Sequence, residues 1–110
     1  MMVDPQEIQG LIERIVTIFR PEKVILFGSY ANNNPAQDSD VDLLVVMKFR
    51  GNSALKSAEI LNAIDPLFPV DLIVRTPDQL RKRVELDDFF IKNILENGKV
   101  IYDNNPGQSK

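Results

Sequence analysis

Asp40 and Asp42 stand two residues apart at the start of the run Val41-Asp42-Leu43-Leu44-Val45-Val46. Side chains alternate faces along a strand, so both carboxylates point to one side and Val41 to the opposite, apolar one. Like charges this close repel, so either one stays protonated or a cation sits between them. Oxygen ligands at this spacing suit a hard divalent ion such as Mg²⁺. Asp71 interrupts a second apolar run, Val70-Asp71-Leu72-Ile73-Val74. A charge inside a core strand is costly unless it is paired or binds a metal. If the strand of Asp71 lies beside that of Asp40 and Asp42, three carboxylates converge on one edge of a sheet. Two Mg²⁺ ions held this way could bind a triphosphate and activate an attacking hydroxyl.

Gly28-Ser29 follows the apolar run Val24-Ile25-Leu26-Phe27. A glycine there lets the backbone approach a ligand closely. A short helix beginning at Ser29 would aim its free N–H groups at an anion, and the Ser29 hydroxyl would add a hydrogen bond to a phosphate oxygen. A phosphate cradle beside a metal-binding carboxylate set is the minimum equipment for phosphoryl or nucleotidyl transfer. Each part alone has a plainer explanation: a turn for Gly28-Ser29, a solvated strand start for Asp40 and Asp42, an outward edge-strand residue for Asp71. On the residues alone each of these explanations stays open.

The rest of the composition narrows that chemistry by exclusion. The chain has neither cysteine nor histidine. Thiolate nucleophiles, disulfides, Ser-His-Asp triads and histidine-ligated zinc are therefore absent. Asp38-x-Asp40-x-Asp42 imitates the start of an EF-hand loop, but Leu43 replaces the required glycine and Phe49 the terminal glutamate. No Gly-Lys-Ser/Thr is present, so there is no P-loop.

The elements that must position these groups are well punctuated. Asp4-Pro5-Gln6-Glu7 is a helix start, and Ile8, Leu11, Ile12, Ile15, Ile18 and Phe19 recur at helical spacing before Pro21. Strands are expected near residues 24–27, 41–46 and 70–74, and a short last strand at Val100-Ile101-Tyr102, at a sheet edge. Residues 35–39 are expected as loop. A helix carrying Leu55, Ala58, Ile60, Leu61 and Ile64 ends at Pro66. Another starts at Thr76-Pro77-Asp78-Gln79. A further one, marked by Leu86, Phe89, Phe90, Ile94 and Leu95, is capped by Gly98. This alternation gives an α/β (α+β) domain over residues 1–103, a small mixed sheet flanked by helices, with residues 104–110 a frayed tail. The strand order does not follow from the sequence.

With 110 residues, 44% hydrophobic and 26% charged, the chain suits one soluble domain with no second domain to hold an acceptor. A net charge of −3 argues against a general grip on nucleic acid. The N-terminus lacks signal-peptide features and no apolar run is long enough to span a bilayer, so a cytoplasmic location is expected.

Leu26-Phe27-Gly28-Ser29, followed after ten residues by Asp40-Val41-Asp42-Leu43, resembles the signature of the DNA polymerase β-like nucleotidyltransferase superfamily. More narrowly, Gly28, Ser29, Ala31, Ser39, Asp40, Asp42 and Leu43 are similar to the minimal nucleotidyltransferase proteins. The resemblance implies a polymerase β palm-like fold, Mg²⁺ (two ions) and an NTP, usually ATP. It implies metal ligation by Asp40, Asp42 and, on a later strand, Asp71, with Gly28 and Ser29 holding the triphosphate. It also implies a partner. Many minimal members are antitoxins encoded beside a HEPN-domain toxin, and some transfer AMP to a tyrosine of that toxin. A homodimer is a further expectation. The alternatives are a binding-only antitoxin with a degenerate site, or modification of a small molecule such as an aminoglycoside. One departure matters: where the family commonly has Arg-Gly after Ala31, this chain has Asn32-Asn33. That removes a fixed positive charge near the phosphates.

Among the remaining residues, Arg81-Lys82-Arg83 reads as a solvated helix face, with an acidic partner, RNA or the triphosphate as the functional alternative. Arg75 could reach the phosphates in place of the family arginine, a surface role being equally compatible. Phe89 and Phe90 are expected in the core. Tyr30 and Tyr102 are structural in this reading, although either could accept AMP.

Overall fold

The computed structural model describes residues 2–35 and 39–104. The expected tail at 105–110 and most of the expected loop before Ser39 lie outside the described residues. Asn104 still donates its backbone N–H to the Glu22 carbonyl (3.0 Å).

Helix α1 (Pro5–Phe19) starts as expected: the Asp4 side chain accepts from the Gln6 N–H, and Glu7 reaches back to close a capping box. Ile8, Leu11, Ile12 and Ile15 are buried at helical spacing. Ile18 is off that face and exposed. Strand β1 (Lys23–Phe27) leads into the Gly28 turn, and β2 (Val41–Val46) returns antiparallel to it. Helix α2 (Ser53–Ile64), capped by Asn52, then crosses over to β3 (Val70–Arg75), which pairs parallel with β2. A parallel pair needs such a crossover, because a tight turn can only reverse the chain. Helix α3 (Pro77–Glu85) opens with a Thr76/Gln79 capping box, and α4 (Phe89–Asn97) is capped by Asp88. Strand β4 (Lys99–Asp103) adds antiparallel to β1. The sheet order is β3-β2-β1-β4, with the last strand at an edge as expected.

Helices cover both faces. Alternate strand residues Val24, Leu26, Val41, Leu43, Val45, Leu72 and Val74 join α1 and α2 in one core. The intervening residues Ile25, Leu44 and Val46 join Leu80, Ile91 and Ile94 of α3 and α4 in a smaller one. No described helix is long and apolar enough to cross a membrane.

Several expectations are corrected. No helix begins at Ser29. The chain makes turns instead, with the Ala31 and Asn32 N–H groups both donating to the Gly28 carbonyl. Asn33 is left-handed (φ 55°) and Pro35 follows, so helical propagation stops after one turn. Phe89 and Phe90 are 84% and 53% exposed, and Leu86 is exposed too. The sheet takes Ile91 and Ile94 instead, three apart on the buried face of α4. Leu55 and Ala58 likewise point outward, and Ile60 and Ile64 bury the α2 face. Gly98 caps α4 without a left-handed turn (φ −73°). Glycine is needed there for space, since a Cβ would lie 2.5 Å from the Ile94 carbonyl oxygen and 2.6 Å from Ile25 Cγ2.

Candidate active site

The site forms where three strands end a row on the α3/α4 face. Phe27 pairs with Asp42 across the antiparallel β1/β2 ladder, and Asp42 pairs with Asp71 across the parallel β2/β3 ladder. The adjacency that the sequence left conditional is therefore present: Asp42 and Asp71 are cross-strand neighbours on one face. Asp40 lies just before β2 and is exposed. Its charge acts on the same centre. The Asp42 carboxyl is pushed up to about 6, first by burial, then by the charges of Asp71 and Asp40.

Gly28 abuts this centre. It has φ +76°, and a Cβ on it would stand 2.2 Å from Asp42 Oδ2. A side chain at position 28 would fill the space above the carboxylate, so glycine keeps that space open. The result is a cleft of about 590 Å³ that exposes Asp42, Asp71 and Gly28. Ser29 and Asp40 flank it without lining it.

The opposite wall was not anticipated. It comes from α4: Phe90, Asn93 and Asn97 face the cleft, and Phe90 meets Phe27 edge-on at 5.8 Å. Their spacing of three and four residues was a visible signal, since such positions share a helix face. It is masked when only the apolar residues of that segment are followed.

Other candidates fall elsewhere. Arg75 shares the face of Asp71 but sits four residues along β3, roughly 13 Å away at strand rise. There its Nη1 donates to the Val74 carbonyl (2.8 Å). It does not replace the missing family arginine. Arg81 pairs with Asp78, and Arg83 lies 3.7 Å from Asp88, on an exposed face of α3. Tyr30 is buried and its hydroxyl accepts from the Val3 N–H (3.0 Å), which makes it structural. Tyr102 is half-buried.

The sequence matches the nucleotidyltransferase domain family over residues 8–101. The chain belongs to that family. A Methanocaldococcus jannaschii relative, named a putative protein adenylyltransferase, is 31% identical over 91 residues, covering 76% of this chain and 80% of the relative. Solved structures share the fold at lower identity. A putative nucleotidyltransferase from Sulfolobus solfataricus superposes with a TM-score of 0.63 at 20% identity, over 90% of this chain and 79% of that one. A toxin–antitoxin structure with AMP-PNP gives 0.57 at 19% identity, over 96% and 77%. The chain is thus a nucleotidyltransferase of mixed α/β fold.

The donor set fits a hard cation. It is all carboxylate oxygen, burial and then the neighbouring charges of Asp71 and Asp40 hold Asp42 partly protonated near pH 6, and Gly28 leaves open space over it. In their present rotamers no three acidic side chains close into a finished metal cage among the described residues.

The Asn32-Asn33 departure divides into two parts. Asn33, at the family's glycine position, takes the left-handed conformation itself. Asparagine is among the few side chains that tolerate it, so the turn survives. Asn32, at the arginine position, lines the cleft without a charge.

Proposed function

We propose that this chain transfers AMP from MgATP to a hydroxyl, the tyrosine of a HEPN-type partner toxin, and so acts as that toxin's antitoxin. The observation that carries this reading is the parallel register that sets Asp71 beside Asp42 on the floor of the cleft, under the open space of Gly28. The name of the M. jannaschii relative and the toxin–antitoxin fold neighbour with AMP-PNP support it.

Asp40, Asp42 and Asp71 would hold Mg²⁺, which when bound supplies charge neutralisation for the triphosphate. Gly28 leaves room for the phosphates to approach the strand end. Asp71, the more exposed of the strand pair, takes the proton of the attacking hydroxyl. The hydroxyl oxygen forms a bond to the α-phosphorus, the bond from that phosphorus to the bridging oxygen breaks, and pyrophosphate leaves. The cleft is open, which leaves room for an acceptor side chain presented by a partner.

A second reading is a binding antitoxin with a degenerate site, and the uncharged Asn32 on the cleft wall favours it. One experiment separates the two. Wild type and Asp40→Asn/Asp42→Asn are incubated with α-labelled ATP, Mg²⁺ and the protein encoded in the neighbouring reading frame. Label on that protein with wild type alone is the expected outcome. A stable complex that neutralises the partner without label, in both forms, would replace transfer by occlusion.

A further inference from the structure

The cleft has two chemically different sides. Its floor carries Asp42 and Asp71, whose charges suit a metal–phosphate group. Its α4 wall carries no charge among Phe90, Asn93 and Asn97, only one aromatic ring and two amides. Neutral amides do not neutralise a triphosphate. They are suited to a flat heteroaromatic edge that presents a donor beside an acceptor, and the ring is suited to its face.

The two amides are joined: Asn97 Nδ2 donates to Asn93 Oδ1. This leaves the Asn93 NH₂ as a donor and the Asn97 carbonyl oxygen as an acceptor, one helical turn apart on an exposed stretch of α4. Interchanging O and N in both side chains leaves the same complement of one donor group and one acceptor. Adenine matches it, with an exocyclic amino donor next to a ring-nitrogen acceptor. In duplex DNA an Asn or Gln amide reads adenine by this same donor–acceptor pair. The corresponding Hoogsteen edge of guanine carries two acceptors and would face the Asn97 oxygen with another oxygen. Phe90 is held by its edge contact with Phe27, and half its surface stays open to the cleft.

We infer that Phe90, Asn93 and Asn97 of α4 form the nucleobase-reading wall of the cleft and select a base with an amino donor beside a ring-nitrogen acceptor, adenine over guanine. The assignment rests on the nucleotide-binding reading above and supplies its base specificity. Asn93 pairs with the ring nitrogen, Asn97 accepts from the amino group, and Phe90 covers the base.

The test is binding, read by calorimetry on the full chain with Mg²⁺ and no acceptor, using ATP, GTP and inorganic tripolyphosphate as probes. Wild type is expected to bind ATP more tightly than GTP. Asn93→Ala and Asn97→Ala should each weaken ATP by about tenfold and erode the preference over GTP, with tripolyphosphate affinity unchanged. Both positions are exposed, so the fold should be retained, and circular dichroism checks that. Phe90→Leu should weaken both nucleotides and leave tripolyphosphate alone. Variants that keep the full ATP preference overturn the assignment while leaving the nucleotidyltransferase reading intact. Wild type that binds tripolyphosphate but shows no preference between ATP and GTP also overturns the assignment alone. Wild type that binds none of the three probes removes both.

Discussion

The two faces of the sheet use alternate residues of the same strands, yet they are built to different ends. On the α1/α2 face Leu11, Ile15, Val24, Val41, Leu43, Val45, Ile60 and Val74 are fully buried, and the apolar row continues past the strand ends into Tyr30 and Ala31. On the α3/α4 face the buried set is Ile25, Leu44, Val46, Leu80, Ile91 and Ile94. At the site end that row stops, and Phe27, Asp42 and Asp71 take over. The crowded carboxylates oppose one another and stabilise nothing by themselves. The first face secures the fold, and the surplus lets the second tolerate the repulsion and open space a reaction needs.

If the faces divide the work this way, substitutions on them should dissociate stability from transfer. Ile15→Ala removes a side chain with no exposed surface in the larger core, and about 2–5 kcal/mol of unfolding free energy should be lost. Leu80→Ala in the smaller core retains some contact with solvent, so its cost should fall at or below the lower end, about 2 kcal/mol. Urea unfolding of both variants measures the difference. Below its melting temperature Ile15→Ala should keep its transfer rate, because Ile15 belongs to the core on the other face of the sheet and does not line the cleft. Equal costs for the two substitutions would show that the faces share the load.

Gly28→Ala sharpens the comparison, because it sits where the strand hands over from core to site. Holding alanine at φ +76° costs about 1–2 kcal/mol. The added methyl must also displace the Asp42 carboxylate, which a Cβ would approach to 2.2 Å. The expected result is a modest fall in melting temperature with a much larger fall in transfer. Calorimetry and the labelled-ATP assay on one preparation would report both. A variant that loses stability and keeps transfer would place the phosphates away from Gly28.

The capping boxes at Asp4 and Thr76 made two helix starts legible, because each is a local bargain among four residues. The strands were legible for the same reason: short β-branched runs between proline and glycine. The pairing of Asp42 with Asp71 was not, since it depends on α2 carrying the chain across to a parallel neighbour, which no local pattern states. Errors arose where local signals conflicted. At Ser29 the break of the strand by Gly28 suggested a short helix, but Asn33 and Pro35 permit only a turn. In α4 the aromatic pair drew attention as core, although Ile91 and Ile94 alone satisfy the sheet. Phe90 was thereby misplaced, and the asparagines in step with it were overlooked.

The smallest expected effect tests how burial and neighbouring charge together disfavour the Asp42 carboxylate. Asp42 titrates near 6 in the folded chain, against 3.8 for an unperturbed aspartate. Between those values the folded state binds more protons than the unfolded one, so unfolding free energy falls as pH rises. The stabilisation by protonated Asp42 is complete below about 3.8 and is lost as pH passes through about 6. Asp42 is only partly buried, so solvent screening reduces the full value of the shift to about 1 kcal/mol. In EDTA, wild type should therefore lose about that much stability relative to Asp42→Asn between pH 4 and pH 7. The neutral amide keeps the shape and has no charge to lose. Added Mg²⁺ at pH 7 should raise the wild-type melting temperature and leave that of Asp42→Asn nearly unchanged, since a ligand stabilises only the state that binds it. A stability difference that stays flat across this range would mean that neither burial nor the charges of Asp71 and Asp40 raise Asp42. The site face would then be no more strained than the core face opposite.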